Sequence, residues 1–242
     1  MSRANHASSE HRSGGLKGNP FDGFQVFATD FTALNNSGVD GSALLFLDRK
    51  AQTVTVHIQA EGLEPGQVHA QHIHGFMDDT DAKTPTIRQD TDGDGFVELL
   101  EGLETYGPVQ LNLTLNPADS AHDHGTEGHD HTGAAMFPTA DENGVLRYTE
   151  TFRFNSEDPN AQAIFDSITP LGAKEIVLHG LTLQDDQGRD AMGVMDEADG
   201  TAGYKAILPV ASGELQELNA PGWLLNALRH DDMARAEDWV FG

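Results

Sequence analysis

From Phe24 onward the apolar residues fall in short runs separated by turn-forming residues. The clearest alternation lies at 53–60, where Val54, Val56 and Ile58 interleave with Thr55, His57 and Gln59. A period of two marks an antiparallel strand with one face on a core, and it assigns His57 to the solvent side. Comparable runs at 24–31, 42–47, 68–74, 108–115, 145–154, 175–183 and 204–210 bring the expectation to about eight strands. Asn35-Asn36-Ser37-Gly38, Asp48-Arg49-Lys50, Glu64-Pro65-Gly66 and Asn143-Gly144 supply the turns between them.

Strands in this number predict an all-β fold, a Greek-key sandwich or flattened barrel of antiparallel strands. Two long insertions interrupt it, at 75–107 and 116–140, and long irregular segments inside a compact domain are either functional or disordered. The flanks differ in character. Residues 1–20 are polar and broken by Gly14, Gly15, Gly18 and Pro20, which predicts a disordered tail ahead of a β domain over 21–216. After Pro221-Gly222, the residues Trp223, Leu224, Leu225, Ala227 and Leu228 recur at helical spacing. The stretch 217–242 is therefore expected to be a helical tail that packs on the β domain or on a second copy of the chain, giving a homo-oligomer. No internal repeat suggests a solenoid or propeller.

Charge narrows the partners. The 242 residues carry 39 Asp and Glu against 14 Lys and Arg, a net charge of -25, and such a field repels phosphate backbones and anionic lipid. Nucleic acid is excluded as a partner, and the lack of an apolar run of ~20 residues argues against membrane insertion. The polar opening has no signal-peptide core, so the chain is expected either to stay inside the cell or to follow a removed leader. With no cysteine, thiolate metal sites, cysteine nucleophiles and disulfides are excluded. Motifs of serine hydrolases, phosphate-binding loops and His-Glu-x-x-His metalloproteases do not occur.

Two segments carry metal chemistry. Asp90-Thr91-Asp92-Gly93-Asp94-Gly95-Phe96-Val97-Glu98-Leu99-Leu100-Glu101 fills every position of the twelve-residue EF-hand loop. Asp90, Asp92 and Asp94 offer carboxylates, Phe96 its carbonyl, Glu98 the water-mediated position and Glu101 the closing bidentate carboxylate. The preceding Lys83–Arg88 contains Pro85 and is too short for the entering helix of a sensor pair, so the loop is expected to hold structural calcium and brace the insertion.

The second segment is His72-Ile73-His74. On a strand the two imidazoles share a face and Ile73 takes the other, and two ligands need at least one more from elsewhere. His69 is out of phase. His179, ending the apolar run Glu175-Ile176-Val177-Leu178, is the expected distant partner. A further tract, 122–131, holds four histidines in ten residues, a composition that binds transition metals with or without a preformed site.

In the order of its motifs the chain resembles the Cu,Zn superoxide dismutase fold and, more closely, chordin-type (CHRD) domains. The carriers are Ser37-Gly38-Val39-Asp40-Gly41, Ala60-Glu61-Gly62-Leu63-Glu64-Pro65-Gly66, His72-Ile73-His74-Gly75, Ala140-Asp141-Glu142-Asn143-Gly144-Val145, Ile176-Val177-Leu178-His179-Gly180 and Leu208-Pro209-Val210-Ala211-Ser212-Gly213. The resemblance spans roughly 24–216 and implies His72, His74 and His179 as copper ligands and His131 as a zinc ligand. It also implies an extracellular or periplasmic location. The departures are specific: Ala134 replaces a zinc-binding aspartate, Pro209 a substrate-guiding arginine and Ser212 a cysteine, and no histidine takes the copper-zinc bridge. Lys205 is the candidate substitute cation on the same strand.

Three functions follow as expectations. One is a metal-binding β domain with structural calcium and copper or zinc, for metal sequestration, delivery or envelope protection. Another is a copper-dependent superoxide dismutase on the same residues. The last is a structural or adhesion module stiffened by calcium.

Overall fold

The alternating runs all become strands, in the order expected. They are β1 (Phe24–Asp30), β3 (Asp40–Asp48), β4 (Thr53–Glu61), β5 (Gln71–His74), β6 (Val109–Asn112), β7 (Leu146–Arg153), β8 (Glu175–Leu183) and β9 (Gly203–Glu214). Two more, β2 (Thr32–Ala33) and β10 (Gln216–Leu218), are too short to show a period. The computed structural model describes residues 23–78, 80–117, 136–155, 157–185, 187–188 and 197–219. The tail 1–20, the histidine tract 122–131 and the helix expected from 221 lie outside them. β10 carries sheet structure past residue 216, the boundary set for the β domain.

The strands form two antiparallel five-stranded sheets, ordered β10-β1-β3-β4-β7 and β2-β9-β8-β5-β6. Both sheets keep their edges, so of the two architectures expected the protein is a sandwich and not a closed barrel. Within the first sheet β1, β3 and β4 are sequential neighbours and β10 returns to lie beside β1, the Greek-key order.

Alternation decides what each sheet buries. Ala43, Leu45 and Leu47 of β3 and Val54, Val56 and Ile58 of β4 meet Ile73, Leu111, Ile176, Leu178 and Val210 of the second sheet in one core. Full burial of each such aliphatic side chain is worth roughly 1.5–3 kcal/mol. His57 does take the other face of β4, yet unlike Gln59 on that face it is not exposed. Its Nδ1 is 2.7 Å from the Thr149 hydroxyl, its ring packs on Phe46, and it is buried.

The first insertion is not irregular throughout. It holds a short 3-10 turn at Ile87–Gln89 and the helix α1 (Leu99–Tyr106), closed by Gly107 at φ 77, where a side chain would be strained. A second helix, α2 (Pro159–Ile168), occupies a region for which the strand pattern predicted nothing. Its signals are nonetheless ordinary: Asp158 caps the Asn160 N–H, Pro159 opens the first turn, and Ala161, Ile164, Phe165 and Ile168 form the buried stripe. Among the described residues no helix is long and apolar enough to cross a membrane.

Candidate metal centre

β5 lies between β6 and β8, with His72 opposite Val177 and His74 opposite Glu175. Residues opposite one another in an antiparallel pair share a face, and so do residues two apart along a strand. His179, two beyond Val177, therefore joins His72 and His74 on one face, while Ile73, Ile176 and Leu178 take the core face. The His179 N–H bonds the Ala70 carbonyl at 2.9 Å and fixes this alignment beyond the last paired residue of β5.

That face looks away from the sandwich core, but the insertions cover it. Exposure of His72, His74 and His179 is 2%, 0% and 1%. The Tyr106 ring at the end of α1 packs on His74 with centroids 4.6 Å apart, and Phe137 meets His72 edge-on at 5.2 Å. Each of the three histidines offers one ring nitrogen to a group whose members all lie within 4.8 Å of one another. Metal–imidazole bonds of ~2.0–2.1 Å set tetrahedral ligand nitrogens about 3.3 Å apart, inside the 4.8 Å that bounds the three here.

The hydrogen bonds fix two of the tautomers. Nδ1 of His74 is 2.8 Å from the Gly107 carbonyl and Nδ1 of His179 is 2.7 Å from the Ile207 carbonyl. A carbonyl only accepts, so both Nδ1 atoms carry a proton, and in a neutral ring the lone pair then lies on Nε2. A backbone carbonyl that orients an imidazole through its other nitrogen is the arrangement that metal-ligating histidines use. The donor set thus fits a borderline cation such as copper(II) or zinc.

His69 has a different task. Its Nδ1 lies 2.8 Å from the His179 carbonyl and its Nε2 3.1 Å from the Glu64 carbonyl, so the ring straps the approach to β5 onto β8. Below the imidazoles Glu175 is fully buried, and this burial raises its carboxyl to about 7, although the Thr84 and Ser212 hydroxyls that donate to Oε1 act in the opposite direction. Burial likewise pushes the Tyr106 phenol well above its ordinary range, keeping it a neutral donor to the Leu99 carbonyl at 2.9 Å.

The calcium-type loop is folded around its acidic residues. Carboxylate oxygens of Asp90, Asp92 and Asp94 converge within 4.8 Å of one another. Asp90 accepts the Gly93 and Gly95 N–H groups at 2.6 and 2.9 Å, and Asp94 accepts that of Phe96 at 2.8 Å. Glu101 is not in the convergent trio. Its Oε1 takes the Thr91 N–H at 2.6 Å and its Oε2 the Glu98 N–H at 3.0 Å, which anchors it across the mouth of the loop. Glu98 is buried and accepts the Ala198 N–H at 2.7 Å, acting also as the cap of α1.

His131 lies outside the described residues. Lys205 is engaged elsewhere, 2.6 Å from Asp199 and 2.9 Å from the Thr201 hydroxyl. Three contributors escaped the sequence reading: Tyr106, Gly107 and Asn35. Asn35 takes the Val97 N–H at 2.7 Å and donates to the Val97 and Pro209 carbonyls, both at 2.9 Å. Tyr106-Gly107-Pro108 at the end of an apolar-spaced segment was a readable helix stop, whereas nothing local marks Asn35 as more than a turn residue.

No family model matches the chain, and no curated protein does. Among solved structures, a SOD-like protein from Bacillus subtilis is similar to it, with 13% identity over 78% of this chain and 97% of that one, at a TM-score of 0.37. The class that fold and site define is a two-sheet β-sandwich carrying a buried three-histidine cluster.

Proposed function

We propose that this protein binds metals, holding copper or zinc between His72, His74 and His179 and calcium in the loop 90–101, and that it serves metal sequestration or envelope protection. The observation that carries the reading is the convergence of three buried imidazoles from two strands, two of them with Nδ1 fixed by carbonyls. Bound copper would supply a one-electron couple, and zinc a Lewis acid. The protein's own part is to hold and orient the rings and exclude water. An extracellular or periplasmic setting and the chordin-type resemblance belong to the same proposal, as does His131 as a supplementary ligand.

Sequestration is favoured over rapid superoxide turnover by three features. All three rings are covered, Pro209 faces His179 in the β8–β9 ladder, and Lys205 is paired with Asp199. A chain with a net charge of -25 steers anions away.

The test is a metal inventory of untreated protein, followed by copper electron paramagnetic resonance at one equivalent on wild type, His72→Ala and His179→Ala. A nitrogen-rich signal lost in both variants supports the site, and a signal that survives both removes it. Superoxide turnover by the copper-loaded protein would replace sequestration with the dismutase function. Binding of calcium alone would leave a structural or adhesion module.

A further inference from the structure

The two metal-ligating clusters are joined by two short, continuous routes through the fold. One runs along α1. Glu98 and Glu101 of the calcium-type loop cap its first turn, and the Leu99 N–H is held by Glu197 at 2.9 Å. At its other end the Tyr106 hydroxyl returns to the Leu99 carbonyl at 2.9 Å, tying the last turn to the first. The Tyr106 ring lies on His74, and the next residue, Gly107, gives the carbonyl that orients His74 Nδ1. From loop carboxylate to ligand ring the path is one helix of eight residues.

The other route runs through Asn35. Its carboxamide pairs with both the N–H and the carbonyl of Val97, the eighth loop position, as a neighbouring strand would. The same nitrogen reaches the Pro209 carbonyl, and Pro209 is the register partner of His179. Thus the loop is fastened to the backgrounds of two of the three imidazoles, one on each contributing strand.

We propose that calcium in the loop 90–101 regulates the histidine centre, tightening its grip on copper by ordering α1 and the Asn35 clamp. This rests on the metal-binding reading above and goes beyond it by coupling the two ions. A ligand that has already ordered a shared element spares a second ligand that ordering entropy, which gives positive coupling without a large movement. Electrostatics oppose it weakly. The loop's five carboxylates outnumber the charge of one calcium ion, so the loaded loop stays anionic, and the change in its field is screened by solvent.

The experiment uses the full chain freed of metal by chelation. Copper(II) affinity is measured by chelator competition, read from the imidazole paramagnetic signal, without calcium and at saturating calcium. Calcium affinity is measured by calorimetry on metal-free and copper-loaded protein. The expected result is a tightening of about fivefold or more in both directions, equal in the two because linkage is reciprocal. Tyr106→Phe keeps the ring over His74 but removes the tie to Leu99, and Asn35→Gly suits the φ of 55 while removing the clamp. Each should cut the coupling, read as the ratio of copper affinities with and without calcium, toward one.

Two ions that bind with affinities independent of each other within twofold would overturn the coupling and leave the metal-binding reading intact. Copper binding weakened by calcium would overturn it too, since the coupling would then be negative. Unchanged coupling in both variants would dismiss the two routes. Failure of either ion to bind at all would instead bring down the underlying reading.

Discussion

The rings of His72 and His179 meet edge to face, centroids 5.0 Å apart, across the ladder between β5 and β8. Neither strand contributes enough ligands alone, so removing either ring should dismantle the site. His72→Ala and His179→Ala are each expected to weaken copper binding at least tenfold (~1.4 kcal/mol). His57→Ala, on the other sheet, should leave copper affinity unchanged and merely lower stability. Chelator competition on the three variants is the measurement, and equal losses in all three would point to general unfolding instead of a site.

Calcium should stabilise the fold through the loop. At a hundredfold excess over its dissociation constant the gain is about 2.7 kcal/mol, or roughly 5–10 °C in melting temperature for a domain of this size. Asp90→Asn removes a charge that the Gly93 and Gly95 amides also use. Its melting temperature is expected to become nearly insensitive to calcium, as thermal scans in chelator and in millimolar calcium would reveal.

Glu175 predicts a pH dependence whose sign is fixed by burial. Its carboxyl titrates near 4.5 when exposed and at about 7 in the fold, so the folded protein retains the proton over that window. The stabilisation is complete below pH 4.5 and is lost as the pH rises through 7, a change of roughly 3 kcal/mol. Glu175→Gln keeps an acceptor for the Thr84 and Ser212 hydroxyls without ionising. Denaturant titrations between pH 5 and 8 should slope downward for wild type more steeply than for this variant, and parallel slopes would reject the assignment.

Gly102 offers a test in which helix propensity and packing disagree. Alanine in place of a helical glycine ordinarily adds up to about 1 kcal/mol. Here an added Cβ runs into the Tyr106 ring and hydroxyl, the group that lies on His74. Gly102→Ala is expected to destabilise the protein and to alter the copper signal. A more stable protein with the wild-type signal would show that Tyr106 has room to move aside.

Most of the scaffold was legible because burial on one face of a strand writes itself into the sequence with a period of two. Eight runs became eight strands, while β2 and β10 hold too few residues to express any period. His57 shows the limit of the same rule. Alternation correctly put it on the face opposite the core, but its burial comes from Phe46 and Thr149 on neighbouring strands.

By itself the sequence determined the alternation of strands, the shared face of His72 and His74, and the spacing of the acidic loop, since each is set by bonds along one short stretch of chain. Only the tertiary structure decided that the strands make an open sandwich, that His179 lies in register with β5, and that Asn35 and Tyr106 tie the loop to the imidazoles. Those relations depend on which strand ladders pair and on hydrogen bonds between residues far apart in the chain. Local periodicity carries no record of either.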